Sequence, residues 1–167
     1  ELRADATRRL DHRRREVGRD QLALVTDHGR GEEAGVAGAR REILVESAYF
    51  ILGDESLEQV ARLRAAGVRL RALTNSLASN DLVTNHSGYA RRRPAMLDAG
   101  MELFELRPDA AACQRLVTVS RACEHGPAFS LHSKTMVLDR SVVYVGSFNF
   151  NLRSTYLNSE TALIVER

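Results

Sequence analysis

Short apolar runs alternate with longer amphipathic stretches between residues 42 and 106, and this alternation constrains the fold more than any other feature of the sequence. The apolar runs are rich in residues that favour β-strands: "EILVESAYF", "VRLRALTN" and "MELFEL". Between them, "GDESLEQVARLRAAG" and the stretch that ends near Gly100 predict helices. Because strands that alternate with helices pair in parallel through right-handed crossovers, this region predicts a parallel sheet with helices packed on it.

The last third of the chain predicts antiparallel strands. "LHSKTMVLD" and "SVVYVGSF" are strand-like runs joined tightly at Asp139 and Arg140, so they predict a hairpin, and "SETALIVE" predicts one more strand. Together with the parallel region, they predict an α/β fold with a mixed β-sheet flanked by helices. The 167 residues suffice for one domain or a little more. Residues 1–41 are charged and contain five glycines, and they predict a helix followed by a linker.

The composition of the chain limits the kinds of molecule that it is expected to bind. The chain has 24 basic and 22 acidic residues, and this near balance argues against a protein that binds polyanions through bulk charge. The two basic runs, "RRLDHRRR" and "YARRRP", are either solvated helix faces or sites that attract phosphate groups of lipids or nucleic acid. The two cysteines, Cys113 and Cys123, lack the spacing of zinc ligands and predict free thiols. No apolar run approaches the roughly 18 residues that predict a transmembrane helix.

The predicted hairpin carries polar side chains that point to chemistry. His132 and Lys134 are two positions apart, so they lie on the same face of a strand. If strand geometry continues past Gly146, Ser147 and Asn149 also share a face, and the four polar groups converge when the two strands are neighbours. Such a set fits a phosphate group, because a lysine supplies positive charge and the Ser147 and Asn149 side chains can donate hydrogen bonds.

His132 is the predicted reactive group, and two roles are open to it. An imidazole can attack phosphorus as a nucleophile, or it can pass a proton to a leaving oxygen. Either role needs a partner that orients the ring, and Glu160 on the last strand is the candidate. Asp139 lies at the hairpin turn, where it either has a catalytic role or, as we favour, binds backbone amides or a cation.

A second group of candidates follows the second predicted strand. His86 lies in the segment after that strand, where open α/β sheets place their ligands, so it is a candidate substrate contact. The alternative is an exposed or structural histidine. Asn75 and Ser76 share that region and are weaker candidates. Residues 91–93 are arginines that can attract an anionic headgroup.

The hairpin residues resemble a known signature. H-x-K, four residues, D, six residues and G-S-x-N is the motif of the phospholipase D superfamily, often called the HKD motif. The matching positions are His132, Lys134, Asp139, Gly146, Ser147 and Asn149. Further stretches, among them "ESAYF", "LTNSLASND" and "SFNFNLRSTYLNSE", resemble the second half of a bacterial cardiolipin synthase of the phospholipase D type. The resemblance covers roughly residues 42–166.

The resemblance implies a two-step phosphodiester transfer that needs no metal or other cofactor. One histidine forms a phosphohistidine, and the histidine of a second motif protonates the departing alcohol; in a second-half motif, that acid and base is His132. The family also implies that Glu160 orients a histidine. Residues 1–41 are then the tail of an upstream region, and residues 42–167 form a phospholipase D-like domain with one HKD motif. The second motif lies upstream in the parent chain or comes from a homodimer partner.

The expected activity follows from the same resemblance. It is phosphatidyl transfer that makes cardiolipin from phosphatidylglycerol, with or without phosphatidylethanolamine. The expected location is the surface of the bacterial cytoplasmic membrane, with peripheral binding or an anchor outside this segment. The alternative is a phosphodiesterase, either a lipid hydrolase or a homodimeric endonuclease, in which water replaces the acceptor alcohol. A non-catalytic module that binds phosphate is a third interpretation.

Overall fold

The computed structural model describes residues 15–17, 20–25, 36, 38–107 and 130–166, and Cys113 and Cys123 lie outside these ranges. The described chain contains three helices: α1 (Asp54–Ala65), α2 (Val83–Asp98) and α3 (Leu152–Tyr156). Its strands are β1 (Arg15–Val17), β2 (Asp20–Val25), β3 (Glu42–Ser47), β4 (Arg69–Asn75), β5 (Glu102–Leu106), β6 (Lys134–Leu138), β7 (Val142–Gly146) and β8 (Ala162–Glu166).

All of these strands belong to one sheet, whose order is β1-β2-β8-β7-β6-β3-β4-β5. The β3, β4 and β5 strands are parallel neighbours, connected through α1 and α2. Every other pairing in the sheet is antiparallel, and β6 joins the two parts because it pairs with both β3 and β7. The predicted α/β fold with a mixed sheet flanked by helices is therefore confirmed, and all six predicted strands are present.

The hydrophobic core lies against the central strands. Ile43, Leu70, Met136 and Tyr144 on four of these strands are each at most 5% exposed. The α1 helix buries Val60 and α2 buries Met96, so each helix turns an apolar side inward, as expected for amphipathic helices. Among the described residues, no helix is both long and apolar enough to cross a membrane.

The structure differs from the prediction near the beginning of the chain. Residues 15–17 and 20–25, which the charge pattern assigned to a helix and linker, form β1 and β2. The β2 strand pairs antiparallel with β8, from Gln21 opposite Glu166 to Val25 opposite Ala162. Without β2, the outer side of β8 would be an open edge with unpaired backbone groups. Short apolar runs such as "LALV" do not distinguish a strand from a helix. Pairing with the edge of β8 favours the strand.

Candidate active site

The predicted reactive residues lie where the parallel and antiparallel parts of the sheet meet. Lys134, the first residue of β6, is paired with Ser47, the last residue of β3. One further backbone hydrogen bond, from Ala48 N to Ser133 O at 3.2 Å, continues this pairing. His132 therefore lies just beyond the carboxyl end of β3, at the edge where open α/β sheets place their ligands.

His132 and Lys134 are in direct contact. The Lys134 Nζ donates a hydrogen bond to the His132 carbonyl oxygen at 2.9 Å and lies 3.4 Å from the ring Nδ1. The His132 side chain is exposed at the surface. Because the ammonium group occupies the Nδ1 side of the ring, the Nε2 nitrogen is the one available to a substrate.

Tyr49 and Asp81 form the other side of this site, and sequence reasoning missed both residues. The Tyr49 ring meets the His132 ring edge-on, with 6.3 Å between centroids and 87° between planes. Its hydroxyl donates to the Asp81 carboxylate at 2.9 Å. Burial and the Asp81 carboxylate raise the pKa of Tyr49 to about 12, so this hydroxyl remains a donor. The available signal was position, since both residues follow the carboxyl ends of neighbouring parallel strands.

The charges of Lys134 and Glu160 each affect the pKa of the other residue. Burial lowers the pKa of Lys134, while the charges of Glu160 and Asp81 oppose that shift. Burial raises the pKa of Glu160, but hydrogen bonds led by Ser147 and the Lys134 charge outweigh it, so the pKa lies below its usual range. Glu160 is therefore an ionised carboxylate near the Lys134 ammonium group at neutral pH.

Ser147 reaches this site in a way that simple strand alternation does not predict. The β7 strand ends at Gly146, so Ser147 and Asn149 lie beyond the strand that the prediction extended to them. Continuing the register of Thr135 opposite Val145 sets Lys134 opposite Gly146, and strict alternation would send Ser147 to the other face. Instead, the Ser147 hydroxyl donates to the Glu160 carboxylate. The Asn149 Oδ1 atom is buried and has no hydrogen-bond partner among the described residues.

Gly146 permits the close packing of β7 against β8 beside the site. A Cβ atom at this position would lie 2.7 Å from the Thr161 carbonyl oxygen and 2.7 Å from the Tyr144 hydroxyl. Real carbon atoms do not approach that closely, and the Thr161 oxygen is backbone that cannot rotate away. The same two segments exchange hydrogen bonds, since Ser147 N donates to Thr161 O at 2.9 Å and Thr161 N donates to the Ser147 hydroxyl at 3.0 Å.

The predicted contact between Glu160 and His132 is not formed within the described part of this chain, and the orienting role of Glu160 stays a prediction. The Glu160 carboxylate accepts hydrogen bonds from the Ser147 hydroxyl and from Asn158 Nδ2, the latter at 3.1 Å. No hydrogen bond joins Glu160 and His132 within the described ranges, where the His132 ring contacts Lys134 and Tyr49 instead. The carboxylate is committed to the loop after β7, which explains why it does not reach the ring.

Asp139 lies at the far end of β6 from the site, roughly 17 Å from Lys134 at about 3.3 Å per strand residue. Its carboxylate accepts three backbone hydrogen bonds, from Arg40 N at 2.7 Å, Arg41 N at 2.7 Å and Glu42 N at 2.9 Å. Burial raises the pKa of Asp139, but these N–H groups outweigh it and hold the pKa below its usual range. The geometry favours a structural role, in which Asp139 fastens the hairpin turn to the start of β3.

His86 is buried in α2, with 8% of its surface exposed. Its ring packs against Tyr89 at 5.7 Å between centroids, and its Nδ1 atom is buried without a hydrogen-bond partner in the described part of the chain. A substrate contact would therefore require the imidazole ring to leave this packed position. The role of His86 stays a prediction.

The other weak candidates are mostly engaged inside the protein. Arg92 pairs with Asp54 at 2.5 Å and Arg93 pairs with Glu105 at 2.6 Å, whereas Arg91 is exposed. The Ser76 and Ser79 hydroxyls are hydrogen-bonded to each other, and Asn75 is 1% exposed. Of the three arginines, only Arg91 is exposed and outside these ion pairs, so it remains the candidate for an anionic group.

A cavity of about 930 Å³ lies elsewhere, between the sheet and the three helices. It is lined mainly by apolar side chains such as Phe50, Leu70 and Phe148. Neither His132 nor Lys134 lines it, so the candidate site is the open edge of the sheet and not this cavity.

A family model described as "Cardiolipin synthase, PLD-like domain" matches residues 35–167. The chain therefore belongs to this phospholipase D-like family. It is 41% identical over 120 residues to cardiolipin synthase C from Escherichia coli K12, and 30% identical over 129 residues to cardiolipin synthase 2 from Bacillus anthracis. These matches cover 72% and 76% of this chain but only 25% and 20% of those proteins, so the chain spans about a quarter of their length or less.

Solved structures share the fold. The phospholipase D family member Nuc from Salmonella typhimurium superposes with a TM-score of 0.62 at 16% identity, over 89% of this chain and 84% of Nuc. Phosphatidylserine synthase from Haemophilus influenzae Rd KW20 gives a TM-score of 0.61 at 12% identity, over 99% of this chain and 40% of that one. At these identities the likeness shows the fold alone.

Proposed function

We propose that this chain supplies one half of the active site of a phosphatidyltransferase of the cardiolipin synthase type. The observation that carries the proposal is the contact between His132 and Lys134 at the carboxyl edge of the sheet, with the ionised Glu160 beside Lys134. The similarity to cardiolipin synthases supports the choice of reaction. The substrates are phospholipids, with phosphatidylglycerol as donor and acceptor or with phosphatidylethanolamine as the second lipid, at the surface of the cytoplasmic membrane.

His132 acts as the general acid and base in this scheme. As a general acid, His132 is the imidazolium ion, which carries a proton on both ring nitrogens and becomes a neutral imidazole when it gives one away. Its Nε2 faces away from the Lys134 ammonium group, and the proton on this nitrogen can pass to a leaving oxygen.

The reaction then needs a second histidine as nucleophile. It attacks phosphorus, an N–P bond forms, the P–O bond to the first alcohol breaks, and the proton of His132 goes to that alcohol. The acceptor alcohol attacks the phosphohistidine in the second step, its proton passes to His132, and the N–P bond breaks. The second histidine belongs to another HKD motif, from the rest of the polypeptide or from a homodimer partner.

The phosphate group is held by fixed donors. Lys134 offers a cation next to His132, and the Asn149 amide follows the end of β7. The Ser147 hydroxyl donates to Glu160 in this structure, so it binds the phosphate only after it turns from that carboxylate. Donors that are fixed before the reaction stabilise charge that develops on the phosphate oxygens, without further reorganisation. This arrangement serves water as acceptor equally well, so a phosphodiesterase is the second candidate.

The test compares three forms of the protein at its natural full length. Radiolabelled phosphatidylglycerol in mixed micelles should yield cardiolipin and glycerol with the wild type. The His132→Ala variant should lose about 10³-fold in kcat, as expected for loss of a general acid and base. Arg62→Ala, at an exposed position of α1, is the matched control and should retain full activity.

Three outcomes would count against the proposal. Release of phosphatidic acid without cardiolipin would favour the lipid hydrolase, and cleavage of DNA that weakens steeply with salt would favour the endonuclease. Full activity of His132→Ala would remove that residue from the chemistry.

A further inference from the structure

The Asn75 side chain uses all of its hydrogen-bonding capacity inside the protein. Its Nδ2 donates to Leu131 O at 2.9 Å and to Ala48 O at 3.2 Å. Its Oδ1 accepts from Leu131 N at 2.8 Å and from the Ser79 hydroxyl at 3.2 Å. Two donors and two acceptor positions are the full inventory of a carboxamide, so no position is left for a substrate.

The two hydrogen bonds to Leu131 replace a strand pairing. Leu131 precedes His132 directly, and neither residue belongs to β6, which begins at Lys134. A carboxamide that binds both the N–H and the C=O of one residue presents the same pattern as a neighbouring strand. Asn75 thereby fixes the backbone on one side of His132, while the first residues of β6 fix it on the other.

Only asparagine meets these demands at a site that is 1% exposed. Aspartate has the same shape but no N–H to give to the two carbonyl oxygens, and as a carboxylate it would face both of them at close range. Alanine or leucine would take these partners away from the partly buried Leu131 N–H and C=O groups. Glutamine is one methylene too long for a packed position.

Ser79 extends the arrangement to the neighbouring strand. Its hydroxyl lies 3.2 Å from Asn75 Oδ1 and 3.1 Å from Leu106 O, at the end of β5. The residue is 2% exposed. The carboxyl ends of β4 and β5 are thus connected through Ser79 and Asn75 to the residue before His132.

We propose that Asn75 is a positioning residue for His132, which acts through the backbone of Leu131 and does not touch the substrate. This inference rests on the proposed function, because it assumes that His132 carries out the chemistry. It also replaces the weak prediction of Asn75 as a substrate contact. The two hydrogen bonds between Asn75 and the Leu131 backbone are called the clamp below. A displacement of about 1 Å at a reacting group can cost about 100-fold in rate, so loss of the clamp should lower kcat measurably.

The main test is Asn75→Asp, with Thr74→Val as its matched control. Thr74 is the preceding buried residue of β4, and its hydroxyl gives one long hydrogen bond to Ala48 O at 3.4 Å. We expect Asn75→Asp to lower kcat about 100-fold with KM within about twofold. Thr74→Val should lower the thermal stability and leave kcat within about twofold of the wild type.

The pH dependence of Asn75→Asp supplies a readout that general destabilisation would not change. At acid pH the introduced carboxyl group takes up a proton and can donate one hydrogen bond to Leu131 O. The ratio of wild-type to variant kcat should therefore shrink toward low pH. A constant ratio would contradict the proposed hydrogen bond.

Amide hydrogen exchange tests the clamp without reference to turnover. Asn75→Ala removes the acceptor of the Leu131 N–H as well as the two donors, so it should speed exchange at residues 131–133 while Met136 in β6 stays protected, and unchanged exchange at Leu131 would overturn the inference. Wild-type kcat in a folded Asn75→Asp, or an equal kcat loss in Thr74→Val, would also overturn it. If the wild type shows no turnover, the proposed function fails, and exchange at Leu131 still decides the clamp. Should Asn75→Asp not fold, Ser79→Ala takes its place, and unchanged kcat and exchange there would overturn the proposal.

Discussion

Replacing Asp139 tests whether this residue of the motif has a structural or a catalytic role. Its two carboxylate oxygens together accept hydrogen bonds from three backbone N–H groups. Arg40 N binds Oδ2, whereas Arg41 N and Glu42 N both bind Oδ1. Asp139 also has a backbone φ of 51°, a left-handed conformation that asparagine tolerates and alanine does not.

The magnitudes follow from these contacts. In Asp139→Asn the amide oxygen can keep the two bonds on the Oδ1 side, so the variant loses the Arg40 bond and the charge, and we expect a loss of about 1 kcal/mol in the free energy of unfolding. Asp139→Ala loses all three bonds and strains the backbone, and we expect about 3 kcal/mol. For a chain of this size, the melting temperature should fall by about 2–4 °C and about 6–12 °C, respectively.

The effect should disappear in acid. The pKa of Asp139 in the folded protein lies below its ordinary value of 3.8. A carboxyl group with a lowered folded pKa contributes stability above its unfolded pKa, and the contribution is lost as pH falls through the folded pKa. The difference in stability between the wild type and Asp139→Asn should therefore be full at pH 7 and shrink below about pH 4.

Urea unfolding followed by circular dichroism, together with kcat at 25 °C, checks this reasoning. The expected result is a less stable Asp139→Asn that keeps its kcat within about threefold, because the residue lies at the far end of β6 from His132. An Asp139→Asn variant with wild-type stability and a large loss of kcat would refute the structural role. It would restore the catalytic role that the motif alone left open.

Two further changes test the loop after β7. Gly146→Ala would place a methyl group 2.7 Å from the Thr161 carbonyl oxygen, so the free energy of unfolding should fall by about 2–3 kcal/mol in urea, and an unchanged midpoint would contradict the close packing seen here. Asn151→Ala removes the side-chain cap of α3, and we expect a loss of about 1 kcal/mol; a loss as large as that of Gly146→Ala would point to a further role for Asn151.

The main elements of the fold could be predicted because their signals are local. The period of the apolar residues distinguishes the helices from the strands between residues 42 and 106, and the alternation implies parallel pairing. The hairpin follows from two strand-like runs that meet at Asp139. The contact between His132 and Lys134 is also local, since the two residues are only two positions apart in the chain.

Contacts between distant segments could not be predicted from these local sequence patterns. Asn75 and Leu131 are 56 positions apart, and no pattern in the sequence indicates that they bind. Asn75 stood at a strand end, where a polar residue can face a ligand or satisfy buried backbone groups. The two cases differ only in what the side chain meets after folding.

The same limit applies to Glu160. Its position behind the motif predicted a contact with His132, but its carboxylate is committed to Ser147 and Asn158. Ser147 follows the last residue of β7, and its hydroxyl donates to Glu160 although strict alternation would send this side chain to the other face.

By itself, the sequence determined the order of helices and strands from residue 42 onward, the hairpin and the pair of His132 and Lys134, since each depends on residues a few positions apart. Tertiary structure alone decided that β2 extends the sheet beside β8, that Asp139 binds the start of β3, and that Asn75 holds the residue before His132. The physical reason is that hydrogen-bonding groups left open by one segment are satisfied by whichever distant segment the completed sheet brings beside them.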